Sequence, residues 1–336
     1  MKFSNQLTRT HFTKLSTIAL LAGVWGFKPL DLQAAEQPEA QSIPEAAQRS
    51  FATPDEAVKA LATAAEAKDQ AALCEIFGPG CREILTGDKV QDANNAQHFA
   101  TAMSQGCTQV KEGADKITLE VGANNWPMPI PLVKADGQWR FDTAAGKEEI
   151  INRHIGKDEL HAISVCRTYV IAQKHYGDVN PKVAGGANYA LKFKSSSGMK
   201  DGLYWPMAAN EPASPFGPLV AEAHAEGYGT NGSTGLHAFH GYYFRILTAQ
   251  GKAAPGGKMD YLSDGILAGG FALVAYPEHW DKSGIMTFIV NQDGKVYQRN
   301  FEEKTSEIAG AMKEYNPNSD WSLVADQGVS NAVAEK

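Results

Sequence analysis

The residues best suited to chemistry crowd one stretch of the chain: His224, Tyr228, His237, His240, Tyr242, Tyr243 and Arg245. Imidazoles titrate near neutrality, so they serve as general bases or as ligands for zinc and copper. His237 and His240, three apart, would chelate with His224 or Glu222 only if the chain turned them together. Gly235 and Gly241 make a shared helical face improbable, and no carboxylate or thiolate stands at a recognised metal spacing. The expectation is therefore pocket-lining or structural imidazoles, with no metal and no cofactor. Arg245, between Phe244 and Ile246 on an expected strand, projects opposite to both neighbours, where a guanidinium meets solvent or clamps an anion.

Two aromatic runs, Trp126-Pro127-Met128-Pro129 and Tyr204-Trp205-Pro206, place rings beside prolines that limit backbone freedom. Such rings either staple a loop to the core or present a rigid contact surface to a glycan, peptide or partner protein. The expected binding residues are thus Trp126, Tyr204, Trp205, His237, His240, Tyr242 and Arg245. No G-x-S-x-G, H-E-x-x-H, C-x-x-C or G-x-x-x-x-G-K-[ST] occurs, so no catalytic residue is assigned. The enzymatic alternative is a hydrolase with His240 as base and Tyr204 or Ser233 nearby.

The 31 Lys and Arg against 38 Asp and Glu leave a net charge of -7 over 336 residues, which argues against a nucleic-acid partner. Residues 1–35 read as a signal peptide: Lys2, Arg9 and Lys14, an apolar run over 15–27, then Ala34 and Ala35. That run is short of the roughly 20 residues a membrane span needs. Cleavage would remove four basic residues and Asp31 and leave a more acidic periplasmic or secreted protein that does not span a membrane. In an oxidising compartment four cysteines allow three full pairings. One bridge is expected among Cys74, Cys81 and Cys107, and Cys166 is expected as a buried small hydrophobe on a helix face.

The elements that must position these residues follow from periodicity. Residues 36–50 are a flexible leader, and Thr53-Pro54-Asp55-Glu56 combines an N-cap, a first-turn proline and a capping-box glutamate before an apolar stripe through Leu61, Leu73 and Ile76. A second helix is expected over 92–104, with Ala96, Phe99 and Met103 inward. Ile117, Leu119 and Val121 then alternate, and strands over 130–134 and 139–142 meet at Asp136-Gly137. A helix from 147 to about 176, with a break at Gly156, closes an α+β domain over 51–176. Residues 177–240 hold 10 Gly and 5 Pro and read as a bridging segment with a helical piece over 219–225. Residues 241–325 form a mainly antiparallel β domain with strands over 242–248, 271–276, 285–290 and 295–299 and a terminal helix near 305–315; 326–336 is a tail.

The segments FATPDEAVKAL, NNWPMPIPLV, GQWRFDTAAGKEEI, KDGLYWP, GYYFRILTAQG, GGFALVAYP and SGIMTFIVNQDGKVYQ resemble a widespread family of exported bacterial proteins labelled domain of unknown function 2950. The resemblance implies an envelope or secreted location and a two-part architecture, and it brings no catalytic residues. The helices and meander ending at Trp139-Arg140-Phe141-Asp142 are similar to nuclear-transport-factor-like cone folds, which often hold a pocket between helices and sheet. The run over 241–298 is similar to the globular heads of type IV pilins and type II secretion pseudopilins, although the long apolar N-terminal helix of a pilin is missing. Taken together, these readings favour a non-enzymatic binding role toward an envelope protein or a cell-wall or surface polymer. The exported hydrolase, and an accessory component of a pilus or type II secretion apparatus, are the alternatives.

Overall fold

A computed structural model describes residues 48–179, 188–207, 213–228 and 238–325. The expected signal peptide, nearly all of the leader, His237, Ser233 and the tail lie outside those residues.

The first helix, α1 (Pro54–Glu66), begins as its sequence dictates. The Thr53 hydroxyl accepts the Glu56 N–H at 3.2 Å, and the Glu56 carboxylate reaches back to the Ala52 N–H at 3.1 Å. The apolar stripe does not run on unbroken into Leu73 and Ile76. Lys68 takes φ 52° and Asp69 caps a separate α2 (Gln70–Phe77), accepting from Ala72 N–H. A 3-10 turn (Gly78–Ile84) follows, and the Cys74–Cys81 disulfide spans it. The remaining thiols, Cys107 and Cys166, are free. α3 (Lys89–Gln105) starts three residues earlier than its periodicity predicts, because Asp88 accepts the Val90 N–H at 2.9 Å.

Beside these helices lies an antiparallel sheet of β1 (Cys107–Lys111), β2 (Lys116–Val121), β3 (Trp126–Pro127), β4 (Leu132–Ala135) and β5 (Gln138–Phe141), in the order β1-β2-β4-β5 with β3 on β2. Asp136 and Gly137 both have positive φ, the hairpin turn that matches strand twist. Ile117, Leu119 and Val121 face inward with Leu61, Ile76 and Phe141 and form the first core.

α4 (Thr143–Val179) is one helix of 37 residues and does not break at Gly156. A glycine costs a helix only about 1 kcal/mol, and Gly156 points into open space while the buried residues on either side of it keep the segment helical. The first half of α4 serves the first core through Ile150, and its second half carries Ala162, Cys166, Tyr169, Val170 and Tyr176 into a second core. Cys166 is fully buried there, and burial pushes its thiol up to about 12.

α5 (Gly217–Glu226) precedes the second sheet. That sheet contains β6 (Tyr242–Leu247), and short strands β7 (Ala249–Gln250), β8 (Met259–Asp260), β9 (Leu262–Ser263) and β10 (Ile266–Leu267) form side pairings after it. β11 (Ala272–Pro277), β12 (Thr287–Asn291) and β13 (Tyr297–Arg299) continue the sheet, followed by α6 (Thr305–Ala311), β14 (Glu314–Tyr315) and β15 (Ser322–Leu323). The order is β15-β13-β12-β11-β6, every pairing antiparallel. β11 and β12 are buried along their whole length, as expected of central strands covered on both faces. Helices with mainly antiparallel sheets make this an α+β fold, as its sequence pattern predicts.

Candidate functional site

Two places along α3 and α4 gather groups that could do chemistry. The first is a cavity of about 430 Å³ between α3, α4 and the first sheet. On α3 the residues Asp92, Asn95, Ala96, Phe99 and Ala102 line it, a spacing that keeps one helical face toward the space. Ile150, Arg153 and His154 of α4 form another wall, and Met128 and Ile130 of the sheet side a third. Ala96 and Ala102 put small side chains into that lining. Trp126, 41% exposed, stands at the rim with the Arg153 guanidinium 5.4 Å above its ring.

The second place is a polar seam where α3, α4, the end of α5 and the turn before β6 converge. Phe239-His240-Gly241-Tyr242 is a two-residue hairpin turn, with φ 45° at His240 and 67° at Gly241 and reciprocal backbone bonds between Phe239 and Tyr242. The turn drives His240 inward. Its ring lies 4.0 Å from that of His161, and its Nε2 is 2.8 Å from Glu226 Oε2. That approach is not aligned as a hydrogen bond, since Glu226 Oε2 has no hydrogen-bonding partner in the structure.

Burial therefore decides the charge of both rings. His240 is pushed down to about 4 by desolvation and by Lys157, against the pull of Asp88. His161 is lowered to about 4 by desolvation, then by His240 and Lys157, with Glu226 opposing. Asp158, fully buried, is raised to about 7 by desolvation, against its one hydrogen bond from Gln91 at 2.6 Å. Tyr228 donates to Asp88 at 2.7 Å, and burial first, then that bond, raises its phenol far above the ordinary value. At neutral pH the seam thus holds two uncharged imidazoles beside a carboxyl close to half-protonated.

The structure scatters the residues singled out from sequence. Trp126 borders the cavity and His240 sits in the seam. Tyr242 is fully buried, and its hydroxyl donates to the Met286 carbonyl. Trp205 packs in the second core with Tyr204 against it, and the Tyr204 backbone pairs with Phe193. Arg245 donates from Nη2 to the Ala309 carbonyl at 2.7 Å and thereby ties β6 to α6. His237 falls outside the described residues. Among those residues, no three His, Cys, Asp or Glu side chains are arranged to hold a metal ion, and no helix is long and apolar enough to cross a membrane.

Sequence reasoning missed the α4 contribution. His154, Asp158 and His161 recur at helical spacing on one face, and that spacing was the signal available.

A ligand-sized hollow in one core, and an ionisable seam joining it to a filled second core, define a two-core α+β protein with no catalytic motif on show. The chain belongs to the family described as protein of unknown function (DUF2950), whose model matches residues 48–324. Comparison with curated proteins and with solved structures finds no match to either, so neither the nuclear-transport-factor-like nor the pilin-head resemblance gains support there.

Proposed function

We propose that this is an exported, non-enzymatic binding protein whose ligand site is the cavity between α3, α4 and the first sheet. The observation that carries the reading is the cavity itself: about 430 Å³, walled mainly by apolar side chains, with a few polar groups on α3 and α4. Small-molecule sites have this size and makeup. Envelope components with apolar moieties would satisfy such a wall. The Cys74–Cys81 bridge supports export, because disulfides persist in oxidising compartments. Among the described residues His240 contacts Glu226, His161, Tyr228 and Phe239.

The test is a fluorescence titration with N-phenyl-1-naphthylamine, an uncharged apolar probe. Wild type should bind it saturably. Ala96→Leu and Ile150→Phe, which fill the space, should each weaken binding by about tenfold, or roughly 1.4 kcal/mol, without changing the circular dichroism spectrum. Unaltered affinity in both folded variants would place the probe elsewhere and sink the proposal.

A further inference from the structure

Most strand edges of the two main sheets are short or covered. The outer side of β5 is taken by Phe51, which exchanges two 2.8 Å backbone bonds with Trp139. β3 and β15 are two residues long, and the outer side of β6 is stopped at both ends, by the pairing of Phe239 with Tyr242 and by the Tyr261 N–H on the Thr248 carbonyl. β1 has no such cover. It is five residues long, its one strand partner is β2, and among the described residues no backbone group pairs with its other side.

The register says which groups are left over. The Glu112 N–H donates to the Lys116 carbonyl and the Gly122 N–H to the Gly106 carbonyl, so by antiparallel alternation Thr108 and Val110 also turn their backbone groups toward β2. Cys107, Gln109 and Lys111 therefore point their N–H and C=O groups outward. An unpaired row of this kind is a template for another strand. Because the three outward residues sit symmetrically about Gln109, a second β1 laid antiparallel about a twofold axis there pairs all of them at once. Cys107 then faces Lys111 of the second copy, and Gln109 faces Gln109, so no like charges meet directly. Thr108 and Val110, the latter 37% exposed, fall opposite one another as β-branched cross-strand pairs. The Gln109 amide gives one N–H to Asp55 at 2.6 Å and keeps a second N–H and its oxygen, the donor and acceptor that a twofold-related Gln109 needs.

We infer that β1 is a homodimer edge: two copies of this chain join their first sheets through β1, antiparallel and in register about Gln109, into one continuous sheet. Such a contact is isologous and closed, so it stops at two copies. The inference stands apart from the cavity and does not depend on what the cavity holds.

The experiment is sedimentation equilibrium of the full chain from about 5 to about 500 μM, with backbone amide exchange followed at both ends of that range. Wild type should pass from monomer to dimer mass. The amides of Cys107, Gln109 and Lys111 should exchange about tenfold or more slowly in the concentrated sample, whereas those of Thr108 and Val110, already bonded to β2, should change by about twofold or less. Gln109→Pro removes an outward N–H without touching the ladder between β1 and β2, and it should leave a monomer with an unchanged circular dichroism spectrum. A wild type that stays monomeric throughout would overturn the inference. So would a dimer whose three outward amides exchange at the monomer rate, or one that persists in folded Gln109→Pro, because either would put the contact elsewhere.

Discussion

The two cores of this chain solve the same packing problem in opposite ways. In the second core aromatic rings close on one another around Tyr169: Phe271 at 5.6 Å, Phe193 at 6.1 Å and Phe216 at 6.4 Å, with Tyr189 a further 4.8 Å from Phe271. The Gln173 amide completes the enclosure, donating to Ala190 O at 2.7 Å and accepting from Ala190 N at 2.9 Å. The first core uses a disulfide, three caps and alanines, and it leaves about 430 Å³ empty. A filled core is built for stability. A hollow one gives up contact energy in exchange for a place to hold something.

The largest effect expected from this contrast comes from removing one ring on each side. Phe271 is fully buried and ringed by aromatics, so Phe271→Ala should cost about 3–5 kcal/mol. Phe99 is only partly buried and borders space that is already empty, so Phe99→Ala should cost about 2 kcal/mol or less. Urea unfolding of both variants measures the difference. Equal losses would mean that the first core is as tightly held as the second, and the contrast would fail.

Acid should reveal how the halves are joined. His161 and His240 have folded values near 4 against 6.5 for the free ring, so the unfolded chain takes up their protons first. Stability is therefore lost as pH falls from about 6.5 to about 4. Asp158 acts in reverse: folded it keeps its proton up to about 7, unfolded only to 3.8, so its contribution grows over nearly the same fall. Two rings oppose one carboxyl, so on balance stability falls from pH 7 to 4. Asp158→Asn removes the compensation and should steepen the loss relative to wild type. The pair His161→Gln with His240→Asn, asparagine being tolerant of the left-handed turn, should reverse the slope. Urea midpoints between pH 4 and 7 that shift in parallel for all three proteins would show that these three groups do not set the acid sensitivity.

Much of the architecture was legible because it is written locally. Thr53-Pro54-Asp55-Glu56 can hardly do anything but start a helix, and the alternation of Ile117, Leu119 and Val121 can only line one sheet face. Gly156 misled because propensity is a weak force beside the burial of Ile155 and Ala162. The cavity was less legible. A helix stripe with Ala96 and Ala102 in it looks like any packing face until the distance to the opposing wall is known. The seam was half legible: His240 stood out as a histidine in a Gly-rich turn, whereas Asp158 and His161 sat inside a long helix. Only the meeting of α3, α4 and the hairpin turn gives those two residues their burial and their altered proton affinities.

The smallest effect is also the sharpest discriminator, because it asks what happens when a methyl becomes an isobutyl in each core. Ala272 on β11 is fully buried, opposite Leu247 of β6 and Asn291 of β12, with the Tyr169 hydroxyl donating to its carbonyl. Ala272→Leu must push strands or rings apart and should cost about 1–3 kcal/mol. Ala96 faces the hollow, so Ala96→Leu places the same three carbons into space that already exists. The added apolar area offsets the lost side-chain freedom, and the change should stay within about 0.5 kcal/mol of zero. Both values come from the same denaturation series. If Ala96→Leu were as damaging as Ala272→Leu, the wall of the first core would have no room for a guest; near-neutrality together with loss of probe binding would mean that the void serves binding and not stability.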